Sequence, residues 1–295
     1  RMGEDRSFLD LLRGYSFIAP LVAILLAFVF VPVVGTCIDS LYREVTFLPR
    51  AFIGLGNYQS LASDPGFRQS LRFTVLFVLA SVPLELVLGL SFALLLHRPS
   101  PARGALRACV LIPWAVPAAV SGKVFELICN FQYGLANYLV QRIGWTDGPV
   151  NWLGSTGGAF FALVAGDVWK TAPFVAILFL AGLSAIPEDL YRQAAVDRAG
   201  PVQRFARITL PLLRPVFVVA LLFRTIDALR VFDLVFVLTG GGPGGSTTSL
   251  SLYGYDAFTG GDFGYGSAVS VVLFLIAFAL SVAYVRIGRF GRELS

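Results

Sequence analysis

Six apolar runs of about twenty residues or more recur along this chain, each long enough to cross the hydrocarbon core of a bilayer. They lie at about 15–38, 71–96, 108–129, 159–183, 212–238 and 267–287. In lipid every backbone amide must be satisfied inside its own segment, so runs of this length read as helices. The expected fold is all-α: a polytopic membrane protein with six spans in a single transmembrane domain, 1–295. The third run is the weakest, because Pro113, Pro117, Lys123 and Glu126 interrupt it.

Composition agrees. The chain is 56% hydrophobic and only 14% charged, against about 25% charged in soluble domains. The net charge is +5, and Lys123 and Lys170 are the only lysines among the basic residues. The arginines flank apolar runs instead of forming the basic tracts that follow phosphates, which excludes a nucleic-acid partner. Arginines concentrate in cytoplasmic loops. One side carries thirteen of them: Arg1, Arg6 and Arg13; Arg98, Arg103 and Arg107; Arg192, Arg198, Arg204 and Arg207; Arg286, Arg289 and Arg292. The other carries four: Arg43, Arg50, Arg68 and Arg142. Both termini are therefore expected in the cytoplasm, and residues 239–263, which hold no basic residue, outside.

The outer loops are short and turn-rich, as at Gly54-Leu55-Gly56-Asn57, Asp147-Gly148-Pro149 and Gly240-Gly241-Gly242-Pro243-Gly244-Gly245. None holds a separate domain, so high-affinity capture of a solute outside the cell requires another protein. The three cysteines, Cys37, Cys109 and Cys129, read as free packed thiols. With His97 the only histidine, neither a metal cluster nor a catalytic set is visible. The chain opens on Arg1, so a trimmed or re-engineered start is expected. The first run is too long for a signal-peptide core and is expected to be retained.

Ionisable residues inside spans are costly and face a bundle interior or a wet cavity. Here they are Glu85, Lys123, Glu126, Asp167, Lys170, Arg224, Asp227, Arg230 and Asp233. Arg224, Asp227, Arg230 and Asp233 alternate in sign at intervals of three, which predicts a winding polar stripe along the fifth span. Asp167 and Lys170 repeat the spacing in the fourth. Two readings stand: ion pairs that hold the bundle together, or the wall of a passage for a polar, uncharged solute. Trp114, Tyr133 and Trp169 lie close in sequence, and each is either a solute-facing ring or ordinary packing.

The loop at 186–208 is the most specific segment. Pro187 followed by Glu188 and Asp189 starts a helix, and Gly200-Pro201 punctuates it before a second short helix. The stretch Tyr191-Arg192-Gln193-Ala194-Ala195-Val196-Asp197-Arg198-Ala199-Gly200, closed by Leu210-Pro211, resembles the EAA loop of ABC-importer permeases. Ala194, Asp197 and Ala199 match that pattern. Arg192, Gln193 and Arg198 depart from its Glu, first Ala and Gly, which leaves Gly200 to take over the turn. Phe52-Ile53-Gly54-Leu55-Gly56-Asn57-Tyr58, Ile112-Pro113-Trp114-Ala115-Val116-Pro117, Asp167-Val168-Trp169-Lys170-Thr171-Ala172-Pro173 and Val237-Leu238-Thr239-Gly240-Gly241-Gly242-Pro243 resemble the carbohydrate-uptake permeases. The last is similar to the MalF-like half of the permease pair, and residues 223–233 are similar to its trehalose and maltose branch.

The resemblance implies a six-helix type I importer permease in the inner membrane of a bacterial or archaeal cell. It implies a second homologous permease, two ATPase subunits, an extracytoplasmic sugar-binding protein and a sugar substrate as partners. ATP and Mg would sit on the ATPases, since neither lysine here lies in a phosphate-binding loop. Alternating access would be driven through the loop, with Arg192, Gln193, Ala194, Asp197, Arg198, Ala199 and Gly200 at the ATPase contact. Aligned on the motifs, the family's sugar-pocket positions fall at Trp114, Asp167, Lys170, Thr171, Arg224 and Ala228. Asp227 and Arg230 join them from the charged stripe. The rival classes are an ion-coupled secondary transporter, which needs no such loop, and a membrane enzyme, which needs a catalytic set.

Overall fold

The computed structural model describes residues 15–98 and 101–290, with side chains to residue 286. Of the arginines used to orient the chain, Arg1, Arg6, Arg13, Arg292 and the side chain of Arg289 lie outside the described residues. The chain divides into two units, one of residues 1–63 with 254–272 and one of residues 64–253 with 273–295.

In the first unit, helix α1 (Tyr15–Asp39) is apolar along its length and none of its apolar window is buried. A helix that is hydrophobic all round belongs in lipid or against another membrane helix. A short antiparallel hairpin follows, β1 (Tyr42–Arg43) on β2 (Ala51–Phe52), with Tyr42 opposite Phe52. Helix α2 (Gly56–Ser63) is tied to it by the buried Asn57, whose amide donates to the carbonyls of Ser40 at 2.8 Å and Tyr42 at 2.9 Å.

The second unit carries the core. Helix α3 (Pro65–His97) starts several residues before the apolar run that marks it, because Asp64 caps it by accepting from the Gly66 amide at 2.8 Å and Pro65 opens its first turn. It packs along helix α7 (Thr156–Ser184), and Phe73, Phe77, Leu163, Val175 and Phe179 are buried between neighbouring helices. The two backbones meet at Gly89: a Cβ there would lie 2.5 Å from Val175 Cγ1 and 3.1 Å from the Ala172 carbonyl. Only a residue without a side chain permits that approach.

The third apolar run is not one helix. It is split into α4 (Arg103–Ala115) and α5 (Ala118–Ile128), bent by 93°. Pro117 forces Val116 into extended backbone, at φ −72° and ψ 131°, and the helix ends there. Helix α6 (Leu135–Arg142) follows. Helix α8 (Glu188–Val196) lies in the loop beyond α7. Helix α9 (Pro201–Leu229) then runs on without a break, through a π-helical turn at Phe205–Thr209, so the second half of the loop is the first part of a span.

The fifth run does not continue to residue 238, as the sequence pattern predicts. Helix α9 stops at Leu229, the backbone leaves helical geometry through Phe232 (φ −133°, ψ −66°), and α10 (Asp233–Leu238) starts afresh. Asp233 therefore opens a different helix from Arg224 and Asp227, and the winding stripe is broken at Arg230. Gly240 and Gly241 adopt positive φ after α10, where the buried Thr247 hydroxyl donates to the Gly242 carbonyl at 2.6 Å. Helices α11 (Leu250–Thr259) and α12 (Phe263–Phe290) follow, so a short helix stands within residues 239–263, which the sequence pattern does not mark as helical. Among the described residues five helices are long and apolar enough to cross a membrane, or six if the bent pair α4 and α5 is counted as one span.

A charged cavity and a protruding two-helix loop

Arg224, on α9, is 2% exposed. A guanidinium withdrawn from solvent needs acceptors in fixed directions, and three helices supply them. From α3, Glu85 takes a forked pair of hydrogen bonds, from Nε at 2.5 Å and from Nη2 at 2.9 Å. From α7, Asp167 accepts from Nη2 at 3.2 Å. From α9 itself, Asp227 accepts from Nη1. Asp227 also faces the more exposed Arg230 at 3.6 Å.

This cluster forms part of the wall of a cavity of about 660 Å3. Trp114, Asp167, Lys170, Thr171, Arg224, Asp227 and Arg230 all line it. Ala228 does not: it is buried behind the wall. Trp114 stacks on Phe174 with ring centroids 5.9 Å apart. Lys170 does not pair with Asp167, as their spacing predicts. Its ammonium donates to the Trp114 carbonyl at 3.3 Å, while Asp167 bonds to Arg224. Thr171 donates its hydroxyl back to the Asp167 carbonyl at 2.6 Å. Of the other aromatics named from sequence, Trp169 packs on Phe125 and Tyr133 is exposed beyond α5; neither lines this cavity. Lys123 and Glu126 pair with each other at 2.5 Å.

Sequence reasoning did not place Phe174 in the cavity wall or Glu85 beside Arg224. Phe174 follows Lys170 by one helical turn and Asp167 by two, so the helical period alone marks it for the same face. Glu85 stood out as an in-span charge, but nothing in its neighbourhood points to a partner 139 residues away.

The loop places its candidates differently. Arg192, Gln193 and Ala194 lie on α8, and Asp197 ends it. Arg192 is exposed and pairs along its own helix with Glu188 at 3.1 Å and Asp189 at 3.5 Å. Arg198 has φ +57°, the one positive φ among described residues that are not glycine. Its amide donates to the Ala195 carbonyl at 3.1 Å, and that of Ala199 to the Ala194 carbonyl at 2.9 Å. These two bonds close a Schellman motif, whose left-handed residue is usually glycine. Gly200, expected to make the turn, is extended at φ −69° and ψ 166°. The backbone must reverse immediately after Asp197, and Gly200 comes too late to do it. The Tyr191 hydroxyl then meets the Thr209 hydroxyl at 2.9 Å, fixing α8 against the start of α9.

Residues 85–290 match the family model for the binding-protein-dependent transport system inner membrane component. The trehalose/maltose transport system permease protein MalF of Thermococcus litoralis is 52% identical over 95% of both chains. The sulfoquinovosyl glycerol transport permease SmoG of Agrobacterium fabrum is 40% identical over 95% of this chain and 91% of its own. The trehalose transport permease SugA of Mycobacterium tuberculosis is 36% identical over 97% and 90%. In fold, the chain matches a crystal structure of a bacterial ABC transporter involved in import of the acidic polysaccharide alginate. The TM-score is 0.84 at 22% identity, over 96% of this chain and 98% of that one. The helical architecture is thus that of a type I importer permease, and the chain belongs to the binding-protein-dependent transport system inner membrane component family, the membrane permease subunits of ABC importers.

Proposed function

We propose that this chain forms half of the translocation pathway of an ATP-driven importer of a neutral sugar, a disaccharide such as trehalose or maltose. The observation that carries this reading is the cavity of about 660 Å3, within the range of about 300–1,000 Å3 usual for small-molecule sites. Its wall combines a stacked Trp114–Phe174 face with carboxylate acceptors at Asp167 and Asp227 and an ammonium donor at Lys170. A sugar presents apolar ring faces and many hydroxyls, and this lining addresses both. The name of the Thermococcus relative, 52% identical, supports the same substrate class.

In this reading the chain is a single transmembrane permease domain with both termini in the cytoplasm. Its partners are a second, homologous permease, two ATPases that carry ATP and Mg, and an extracytoplasmic sugar-binding protein. A crystal structure of the alginate transporter in complex with a periplasmic protein carrying an alginate pentasaccharide, similar in fold at TM-score 0.82 and 21% identity, fits such an assembly. The loop around Asp197 bears on an ATPase, with Arg192, Gln193, Ala194, Arg198, Ala199 and Gly200 around the contact. Coupling requires that this contact differ between ATPase states. The Schellman turn at Arg198 and the Tyr191–Thr209 bond make the loop stiff enough to pass that difference into α9.

The test is uptake of labelled trehalose or maltose by the assembled complex in proteoliposomes. Trp114→Ala removes one of the two stacked rings and is expected to reduce sugar uptake at least tenfold while the complex still assembles. Wild-type uptake by that variant overturns the reading of the cavity.

A further inference from the structure

Glu85 belongs to the Arg224 cluster but stands behind the cavity wall: it is 0% exposed and does not line the cavity. We infer that Glu85 is a positioning residue for the sugar pathway, which holds Arg224 so that Asp167 and Asp227 present fixed acceptors to the cavity. This rests on the reading of the cavity as the sugar's passage.

Four of the five guanidinium N–H groups of Arg224 go to carboxylates: Nε and one of Nη2 to Glu85, the other of Nη2 to Asp167, and one of Nη1 to Asp227. Arg224 is thus poorly placed to donate to a sugar even though it lines the wall. Its geometry is that of a bracket. A forked arginine–carboxylate pair fixes both the plane and the direction of the guanidinium. Glu85 provides the fork, and it stands on α3, the helix locked to α7 at Gly89. The single guanidinium then sets two carboxylates, Asp167 on α7 and Asp227 one turn on along its own helix α9. Each of these keeps oxygen lone pairs beyond its bond to Arg224. A carboxylate held in place accepts from sugar hydroxyls without first being ordered, which raises the value of each bond made on binding.

A buried ion pair also has a purely structural use, and the two roles separate experimentally. Loss of Glu85 leaves Arg224 with two carboxylates, Asp167 and Asp227, so it does not strand the guanidinium, whereas loss of Arg224 strands the buried Asp167. The test uses the assembled complex with its binding protein, reading its melting temperature and its uptake of labelled trehalose or maltose. Glu85→Gln is expected to cut uptake at least tenfold. Glu85→Asp keeps the charge but withdraws the carboxylate; it is expected to assemble normally and lose uptake several-fold. The double variant Glu85→Gln with Arg224→Gln also takes the cation from Asp167, so it is expected to melt lower than Glu85→Gln alone and to lose at least tenfold in uptake. Wild-type uptake by Glu85→Asp, or recovery of uptake by the double variant, overturns the inference and leaves a structural ion pair. Trp114→Ala separates the two failures. If it abolishes uptake while the Glu85 variants do not, the pathway stands and only the bracket falls.

Discussion

Arg224 and Arg192 are the same residue type in opposite surroundings, and the difference shows where this chain places its constraints. Arg224 is buried and meets three carboxylates from three helices. Arg192 projects from α8 with most of its side chain in solvent and, among the described residues, pairs with Glu188 and Asp189 one turn back. Within a bundle a charge that loses its partner has no water to turn to, so its partners are obligatory. On the loop, water replaces a lost partner at little cost. The cavity wall is therefore fixed by buried ion pairs, whereas the exposed helix is held by its backbone turn and the Tyr191–Thr209 bond and leaves Arg192 available.

Arg224→Leu is the strongest attack on that contrast. It strands Glu85 and Asp167 without a cation, and the expected loss is about 3–5 kcal/mol. Melting of the purified complex reads it, as a large fall or a failure to recover the assembly. A change too small to detect would place the two arginines in one class.

Arg198→Gly sharpens the other side. A left-handed residue that is not glycine costs about 1 kcal/mol or more, and glycine relieves most of it. Amide hydrogen exchange of residues 194–199 is expected to slow about fivefold, with the cavity wall unchanged. Faster exchange would mean that the arginine side chain holds the turn.

Arg192→Ala is the smallest expected effect. An exposed pair one turn apart contributes less than about 0.5 kcal/mol. Exchange in α8 is expected to rise by about twofold at most. A loss tenfold or larger would show that the pair holds the helix.

Much of the site was legible because helical period and polarity are local properties. Trp114, Asp167, Lys170, Thr171, Arg224, Asp227 and Arg230 were all named from motif and charge, and they line one cavity. Phe174 was legible in principle, since it shares the face of Asp167 and Lys170. Ala228 was placed on the wall by alignment but points into packing. The pairing of Lys170 with Asp167 failed because spacing counts neighbours on one helix and is blind to acceptors on another, here the Trp114 carbonyl. The end of the fifth run failed similarly. Apolar character continues through Val231 and Phe232, and only the backbone reveals that α9 has already stopped.

The amino-acid order by itself determined the all-helical membrane architecture, the weak third span with its Pro117, and a loop of two helical halves. Each follows from needs met within one segment: amides that must be satisfied in lipid, a proline that bars a helix, acidic residues that favour a helix start. The tertiary structure alone decided which carboxylates hold Arg224, which residue makes the turn after Asp197, and how closely α3 meets α7 at Gly89. Those are choices among partners far apart along the chain, and burial makes them by removing the water that would otherwise satisfy any of them.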